Sequence, residues 1–206
     1  MTEMIATRAA YGEALARLGD VNPGVVVLDA DLSASTRTAD FAKRHPERFI
    51  QMGIAEQDMM GTAAGLAASG KIAFASTFAV FASGRAFDQV RNAVCYSGLN
   101  VKICATHAGL TVGEDGASHQ SVEDVALMRA VPNMTVIVPS DAVQTAWAVH
   151  AAAALDGPVY MRLGRAPVPV IYGEGQEFAL GKAQTLHAGN DVAIIASGIM
   201  TSRALA

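Results

Sequence analysis

The chain has 206 residues, and its 15 Lys and Arg against 19 Asp and Glu give a formal net charge of −4. Hydrophobic residues make up 51% of the chain and charged residues 17%, against about 25% charged in a typical soluble domain. This composition excludes intrinsic disorder, which needs low hydrophobicity and high charge. An acidic chain without a Lys/Arg-rich stripe argues against a nucleic-acid partner. No apolar run approaches the roughly 18 residues of a membrane span, so no membrane partner is expected.

The amino end and the two cysteines bear on the compartment. The first residues, MTEMIATRAAYGEAL, include Glu3 and contain no apolar core, so we expect no signal peptide. Cys95 and Cys104 lie in apolar contexts and are interpreted as buried thiols of a reduced compartment. The sequence therefore predicts a globular protein of the cytoplasm.

Short apolar runs alternate with Ala-rich helical stretches along the chain, beginning with a predicted helix at its amino end. Such runs suit strands that are covered on both faces, and the alternation predicts an α/β fold with a mostly parallel sheet and helices on both faces. In such sheets, ligands bind beyond the carboxyl ends of the strands. Helices are predicted over 4–18, 56–69, 84–97 and 141–154, and strands over 25–30, 71–77, 101–106, 135–140 and 158–163.

The domain organisation follows from a change in composition after the last of these strands. Residues 1–165 form one predicted domain, and the stretch 166–190 is richer in Pro and Gly and is interpreted as a connector. A new strand is predicted over 191–198 and the start of a helix over 199–206. Because one strand and part of a helix cannot bury a core, we expect these residues to open a second α/β domain.

The segment after the first predicted strand, DADLSAST (29–36), has two acids followed by small hydroxyl residues. It can be an ordinary helix start in which Ser33 or Ser35 caps free backbone amides. It can also be an anion site, because helix N-termini carry free N–H groups and partial positive charge. The residues alone leave both interpretations open.

Glu56 begins a helical segment whose other positions are small and apolar, including Met59, Met60, Ala63 and Ala64. Apolar residues cover nearly the whole circumference, so the sequence predicts a buried helix. A carboxylate at the head of a buried helix needs a charged partner or a raised pKa. Glu56 is therefore a candidate functional residue, although an acid at a helix start can also simply favour the helix dipole.

Two further segments follow predicted strands. Phe78 and Phe81 lie three residues apart, a spacing more typical of core than of a site, but their place at a strand end favours a binding role. The loop ATHAGLTVGEDGASHQSVEDV (105–125) contains His107, Asp115 and His119, and loops of this length are more often functional than connective. Its spacings match no common zinc pattern, so we predict no metal site and instead groups that bind and move protons on a hydroxylated substrate.

Taken together, GIAEQ (53–57), STFAVF (76–81), ATHAGLTVGEDGASHQ (105–120) and SRALA (202–206) resemble transketolase. The resemblance is to the pyrimidine-binding domain at the start of the C-terminal subunit of split transketolases, and it extends from about Met4 to Arg165. It implies the thiamine-diphosphate-binding fold and thiamine diphosphate as cofactor. In that family a second domain with a GDG-type motif holds the diphosphate and Mg²⁺. This chain contains no such motif, so the resemblance implies that Mg²⁺ lies on a partner and that the isolated chain is catalytically silent.

The resemblance assigns cofactor contacts to three residues. Glu56 resembles the glutamate that hydrogen-bonds the pyrimidine N1′ and favours the imine tautomer of the 4′-amino group. Phe81, with Phe78 nearby, resembles the aromatic wall on which the pyrimidine stacks. Transketolases commonly have a tyrosine three residues after that wall, where this chain has Gly84.

Substrate contacts are implied in the same way. His107 and His119 match the two histidines of the donor channel, with His119 near the reacting carbonyl. Asp115 matches a buried acid that recognises the hydroxyl next to the carbonyl carbon. Residues that match the positions holding the sugar phosphate are Arg8, Ser35 and Arg162.

The leading hypothesis is thus a transketolase subunit that transfers a two-carbon ketol unit from a ketose phosphate to an aldose. One alternative is that the chain uses the same cofactor in a different reaction, like deoxyxylulose-phosphate synthases or the β subunits of 2-oxoacid dehydrogenases. Another is that the chain is a regulatory or binding partner that retains the fold without catalysing a reaction. The GEDG-x-x-HQ loop favours transketolase. We expect a homodimer or a heterotetramer with an N-terminal, diphosphate-binding subunit, with contacts through residues 56–70 and 78–94.

Overall fold

The computed structural model describes residues 3–173 and 175–206. Its main feature is a six-stranded sheet in which every neighbouring pair is parallel, in the order β3-β2-β4-β5-β7-β6. The strands of this sheet are β2 (Val25–Asp29), β3 (Phe49–Gln51), β4 (Ile72–Phe78), β5 (Val101–Thr106), β6 (Thr135–Ile137) and β7 (Val159–Arg162). A separate antiparallel pair joins β1 (Met4–Ala6) to β8 (Pro167–Pro169).

Helices connect the strands, as a parallel sheet requires. They are α1 (Thr7–Val21), α2 (Ser33–Thr36), α3 (Ala39–Arg44), α4 (Glu56–Ala68), α5 (Phe87–Gln89), α6 (Asp124–Ala130), α7 (Ala142–Ala154) and α8 (Met200–Ala204). Two π-helical turns, Phe81–Arg85 and Val90–Tyr96, flank α5. Short 3₁₀ turns are found at Pro46–Arg48, Leu110–Val112 and Ala117–His119.

The core lies on both faces of the sheet. On one face α4 and the segment 81–96 bury Met59, Met60 and Val90 against alternate residues of β2 and β5. On the other face α1, α3 and α7 pack against the remaining side chains of β2 and β4, with Tyr11 and Phe41 fully buried. This arrangement confirms the predicted α/β fold with helices on both faces of a mostly parallel sheet. In the described part of the chain, every helix is too short or too polar to cross a bilayer.

Five predicted strands are found within a few residues of their predicted ends, but three other predictions need correction. Helix α1 begins at Thr7 and not at residue 4, because residues 4–6 pair with β8. The predicted helix over 84–97 is an α-helical turn between two π-helical turns. The predicted strand over 191–198 does not form, because these residues pair with none of the described strands, and Ile195 is 96% exposed.

Helix α4 also differs from its prediction as a helix buried all round. Glu56, Met59 and Met60 are buried, but the opposite side is exposed and contains Gly61 and Gly65 together with Ala68, Gln57 and Asp58. The apolar composition is therefore shared between a core face and a surface of small residues.

The connector lies over α7. The N-cap residue of α7, Asp141, accepts hydrogen bonds from the backbone N–H groups of Ile171 and Tyr172 at 2.8 and 2.9 Å. Further along, the ring of Phe178 contacts that of Trp147, with 5.4 Å between centroids. The division into 1–165, 166–190 and 191–206 stays a prediction.

Candidate active site

The polar residues identified from the sequence gather at the carboxyl ends of β2, β4 and β5, where a parallel α/β sheet binds its ligands. Backbone strain is concentrated at the same edge. Non-glycine residues with φ in the left-handed region include Asp31 (63°), shortly after β2, His107 (57°), directly after β5, and Arg37 (72°), directly after α2. Such conformations persist only where the surroundings enforce them, and they cluster at functional sites.

Glu56 is 1% exposed and heads α4. Its two carboxylate oxygens both accept hydrogen bonds from Nη1 of Arg85, each at 2.9 Å. Of the two solutions open to a buried carboxylate, the structure thus shows the charged partner. Sequence reasoning missed Arg85; the available signal was a cation four residues after Phe81.

Four rings form a continuous aromatic wall beside this ion pair. Phe78 stacks on Phe81, with centroids 5.9 Å apart, and on the imidazole of His107 at 3.8 Å. His119 meets Phe81 edge-on at 5.4 Å. The guanidinium of Arg85 lies over Phe81, 4.3 Å from the ring centroid. The structure therefore brings the two predicted phenylalanines and the two predicted histidines together with Glu56.

The environment of His107 keeps its imidazole neutral. The residue is buried, its Nδ1 lies 2.9 Å from the hydroxyl of Thr106, and burial lowers its pKa from 6.5 to about 4. The positive charges of Arg8 and Arg165 contribute to this lowering of the pKa, while the charge of Asp115 opposes it. A neutral imidazole at physiological pH can donate or accept a hydrogen bond at Nε2.

Arg8 reaches the loop after β2, where its Nη1 donates to the carbonyl of Ser35 at 2.7 Å and its Nε donates to the carbonyl of Arg165 at 3.3 Å. Burial lowers the pKa of Arg8, and the charges of Arg165 and Arg37 lower it further. Two positive charges that act on each other in this way favour an anion near them. Arg165 was not among the predicted residues; its signal was a second cation three residues after Arg162.

Arg162 lies in a different environment. Its Nε donates to Asp124 Oδ2 at 2.8 Å, and Asp124 is fully buried and also accepts from the Tyr160 hydroxyl at 2.8 Å. The Nε of Arg162 is thus already bonded to a buried carboxylate. The phosphate contact predicted for Arg162 stays a prediction, and the geometry favours Arg165 for it.

Asp115 lies in the loop after β5 and is exposed in this chain, so the expected buried acid is not seen. The loop is held from outside, because Arg165 donates to the carbonyl of Val112 at 2.6 Å and to Glu114 at 2.5 Å. The charge of Asp115 acts on His107, and the described residues include no hydrogen-bond partner for its side chain.

In the segment DADLSAST, neither serine caps α2, since the N-cap position is Leu32 and makes no side-chain bond. Asp29 organises the turn, because its buried carboxylate accepts from Leu32 N–H at 2.6 Å and from the hydroxyls of Thr36 and Thr38 at 2.7 and 2.8 Å. The turn so formed presents the Ser35 carbonyl to Arg8.

The described residues contain no group of three or more His, Cys, Asp or Glu placed to hold a metal ion. What they do offer is a buried carboxylate beside an aromatic face, two imidazoles and a pair of guanidiniums at one edge of the sheet. This set suits a flat nitrogen heterocycle and a polyhydroxylated anion.

Known proteins similar to this chain come from one family. Residues 3–170 match the family model described as "Transketolase, pyrimidine binding domain". A transketolase C-terminal section from Methanocaldococcus jannaschii is 55% identical over 200 residues, covering 96% of this chain and 63% of that protein. A 6-deoxy-6-sulfo-D-fructose transketolase subunit from a Clostridium species is 46% identical over 198 residues, covering 96% of this chain and 62% of that protein.

A solved structure described as a split gene transketolase in an inactive β4 tetramer superimposes with a TM-score of 0.90 at 60% identity. It matches 98% of this chain, which in turn covers 66% of that chain. The chain thus spans a little under two thirds of the length of these relatives.

Proposed function

This chain belongs to the transketolase family, and on that premise we propose that it supplies the pyrimidine-binding half of a thiamine-diphosphate-dependent ketol transferase. The observation that carries the proposal is the buried carboxylate of Glu56 beside the face of Phe81. A lone acid in such a place suits a ring nitrogen that shares its proton. The relatives are transketolases or sections of them, which favours sugar transfer over deoxyxylulose-phosphate synthesis or 2-oxoacid decarboxylation.

The residues fit one half of thiamine diphosphate. Glu56 can accept a hydrogen bond from a protonated ring nitrogen, and Phe81 with Phe78 offers a face for stacking worth roughly 0.5–1.5 kcal/mol. The described residues offer no acidic cluster for Mg²⁺. The diphosphate and Mg²⁺ are therefore assigned to an N-terminal subunit, as the split-gene relative suggests.

When bound, thiamine diphosphate supplies a nucleophilic carbon and an electron sink for cleaving the bond next to a ketose carbonyl. Glu56 would hold a proton against the pyrimidine nitrogen and fix the tautomer of the ring. His107 and His119 would bind the carbonyl and hydroxyl groups of the donor, with His119 moving a proton at the reacting oxygen. Asp115 would accept a hydrogen bond from the hydroxyl next to the carbonyl.

Arg8 and Arg165, beside the Ser35 turn, would bind the anionic end of the sugar. Phosphate and sulfonate share the tetrahedral anionic oxygens that such a pair recognises, and one relative is described as acting on a sulfonated fructose. We assign a ketose phosphate as donor and an aldose as acceptor, with the sulfonated sugar as second candidate. The predicted cytoplasmic location stays a prediction.

Replacing Glu56 with Gln tests the proposal. The amide has nearly the shape of the carboxylate but cannot share the same proton. In the complex reconstituted with the N-terminal subunit, the rate of exchange of the cofactor C2 proton should therefore fall at least about a hundredfold, as expected for loss of a general acid or base. The exchange can be followed by NMR in deuterated buffer after mixing with the N-terminal subunit. Asp58→Asn, on the exposed side of the same first turn of α4, is the matched control. Wild-type exchange in Glu56→Gln would contradict the assignment.

A further inference from the structure

Arg85 makes two contacts at the groups on which the proposed cofactor ring depends. Its guanidinium covers the face of Phe81 at 4.3 Å, and its Nη1 hydrogen-bonds both oxygens of Glu56 at 2.9 Å. An aromatic ring stacked on that face and bonded to that carboxylate would need the same space and the same acceptor atoms. Arg85 and the ring therefore exclude each other from this position.

The local structure allows Arg85 to move away. Its side chain is 47% exposed, while that of its partner Glu56 is 1% exposed, so only one end of the pair is fixed in the core. Arg85 ends the π-helical turn Phe81–Arg85, and such turns are frequently found at functional sites. The preceding residue, Gly84, has no atom within 4 Å of the position a Cβ would take, so there is open space at the residue next to Arg85 in the turn.

Energetics explain why a cation lies there. A carboxylate as buried as that of Glu56 costs several kcal/mol without a partner, and removing one member of such a pair is strongly destabilising. A guanidinium is well suited to the place, because it binds a carboxylate and stacks on an aromatic face at the same time. The contact thus stabilises the chain in the conformation that does not hold the ring.

We propose that Arg85 occupies the position of the pyrimidine ring on Phe81 and Glu56 when no cofactor is bound, and that it moves away when thiamine diphosphate binds. Arg85 would thereby set the affinity for the cofactor. This inference rests on the proposed function. The apparent affinity of a site is reduced by the fraction of molecules in which the site is available. A residue that fills the site therefore weakens binding without touching the bound ligand.

The test is titration of thiamine diphosphate, with Mg²⁺ present, into the chain reconstituted with its N-terminal subunit, for wild type, Arg85→Met and Arg85→Lys. Arg85→Met should bind about tenfold more tightly and should melt at a lower temperature than wild type when no cofactor is added. Arg85→Lys keeps the charge but not the planar stacking group, so its affinity for the cofactor and its melting temperature should lie between those of wild type and Arg85→Met. Arg91→Met, an exposed arginine of the same segment, should match wild type in both respects.

Three results separate the possibilities. Equal or weaker binding by Arg85→Met overturns the inference. If the ion pair were purely structural, its loss would leave the affinity for the cofactor unchanged, and if Arg85 bound the cofactor, its loss would weaken that affinity. If Arg85→Met does not fold, the NMR signal of the Arg85 side-chain Nε–H in the wild-type complex decides, because it must shift when cofactor is added and must stay unchanged if Arg85 remains on Glu56. Absence of any cofactor binding by the wild-type complex instead overturns the proposed function itself.

Discussion

His107 combines a left-handed backbone, a buried ring stacked on Phe78 and a pKa near 4, and these features couple the fold to pH. Burial is the main cause of the low pKa, with smaller effects from Arg8, Arg165 and His119 and an opposing one from Asp115. The folded chain keeps this imidazole neutral at a pH where the unfolded chain protonates it.

Between pH 6.5 and about 4 the unfolded state binds more protons at His107, so the free energy of unfolding falls as the pH falls. A difference of about 2.5 pKa units corresponds to on the order of 3 kcal/mol over that range. We expect urea unfolding of His107→Asn to show a correspondingly flatter pH dependence than wild type. His150→Asn, at an exposed position, should keep the wild-type slope, and an equal slope for His107→Asn would contradict the burial argument.

Arg162 and Arg165 lie three residues apart, but their replacement should affect the free energy of unfolding very differently. Arg162→Gln leaves the fully buried Asp124 without its cation, so it should lower the free energy of unfolding by roughly 3–5 kcal/mol. Arg165→Gln removes a partly exposed side chain that pairs with the exposed Glu114, so the fold should be nearly unaffected.

In the reconstituted enzyme, Arg165→Gln should instead raise the KM for a phosphorylated donor about tenfold or more, the equivalent of one charge-assisted hydrogen bond. An unphosphorylated ketose is the comparison, because its KM should not change. If Arg162→Gln alone raised the KM for the phosphorylated donor without loss of stability, the sequence-based assignment of the phosphate to Arg162 would be the right one.

At the scale of elements, Lys102 ties β5 to the end of α7. Its ammonium group is fully buried and donates to the carbonyls of Leu155 and Gly157 at 2.7 and 2.6 Å, just beyond the last helical residue. Carbonyls at a helix end have no hydrogen-bond donors within the helix, and the ammonium group of Lys102 provides those donors. Lys102→Met should lower the free energy of unfolding by about 1–3 kcal/mol, measured in urea at pH 7.

The same lysine gives a second measurable effect, because burial lowers its pKa from 10.5 to about 8. Above pH 8 the unfolded state binds the additional proton, so wild-type stability should rise with pH, and Lys102→Met should lack this rise. The comparison belongs between pH 8 and 9, because burial raises the pKa of the Cys104 thiol from 9.0 to about 12 and its effect opposes that of Lys102 at higher pH. An identical slope in both proteins would show that Lys102 keeps its proton in this range and that its pKa is not lowered.

Hydrophobic periodicity predicted the elements that are buried on a whole face, such as β5 and α7, because burial imposes a continuous apolar pattern on the sequence. It missed α2, α3 and β3, since three to six residues are too few to establish a period. It also could not place residues 4–6 in a strand, because their partner β8 lies more than 160 residues away in the chain.

For the site, the sequence pointed to Glu56 as a lone acid that heads an apolar helix, to the two phenylalanines because they lie at a strand end, and to the two histidines because they lie in a long polar loop. It did not reveal Arg85, because an ion pair across 29 residues leaves no local pattern. Likewise, it could not choose between Arg162 and Arg165, whose difference lies in the burial of their partners Asp124 and Glu114.

At the scale of the whole molecule, the exposed side of α4 is the surface most suited to assembly. Gly61, Gly65 and Ala68 lie on it, directly beyond the turn that carries Glu56. Small residues let another helix approach closely, and a cofactor site shared with a second chain requires contact near Glu56. We therefore expect a contact with a second copy or with an N-terminal subunit to form here and to bury more than about 2,000 Å², as obligate contacts do.

Gly65→Arg distinguishes a contact surface from a surface that merely lacks side chains. No atom lies within 4 Å of the position a Cβ would take at Gly65, so the arginine points into solvent in the single chain. Replacing a helical glycine should raise the stability of that chain by up to about 1 kcal/mol. The same side chain would prevent close approach of a partner, so sedimentation at micromolar concentration should show loss of the dimer or of the complex with the N-terminal subunit. Gly189→Arg, equally open but in the connector, should assemble as wild type does, and unchanged assembly of Gly65→Arg would place the interface elsewhere.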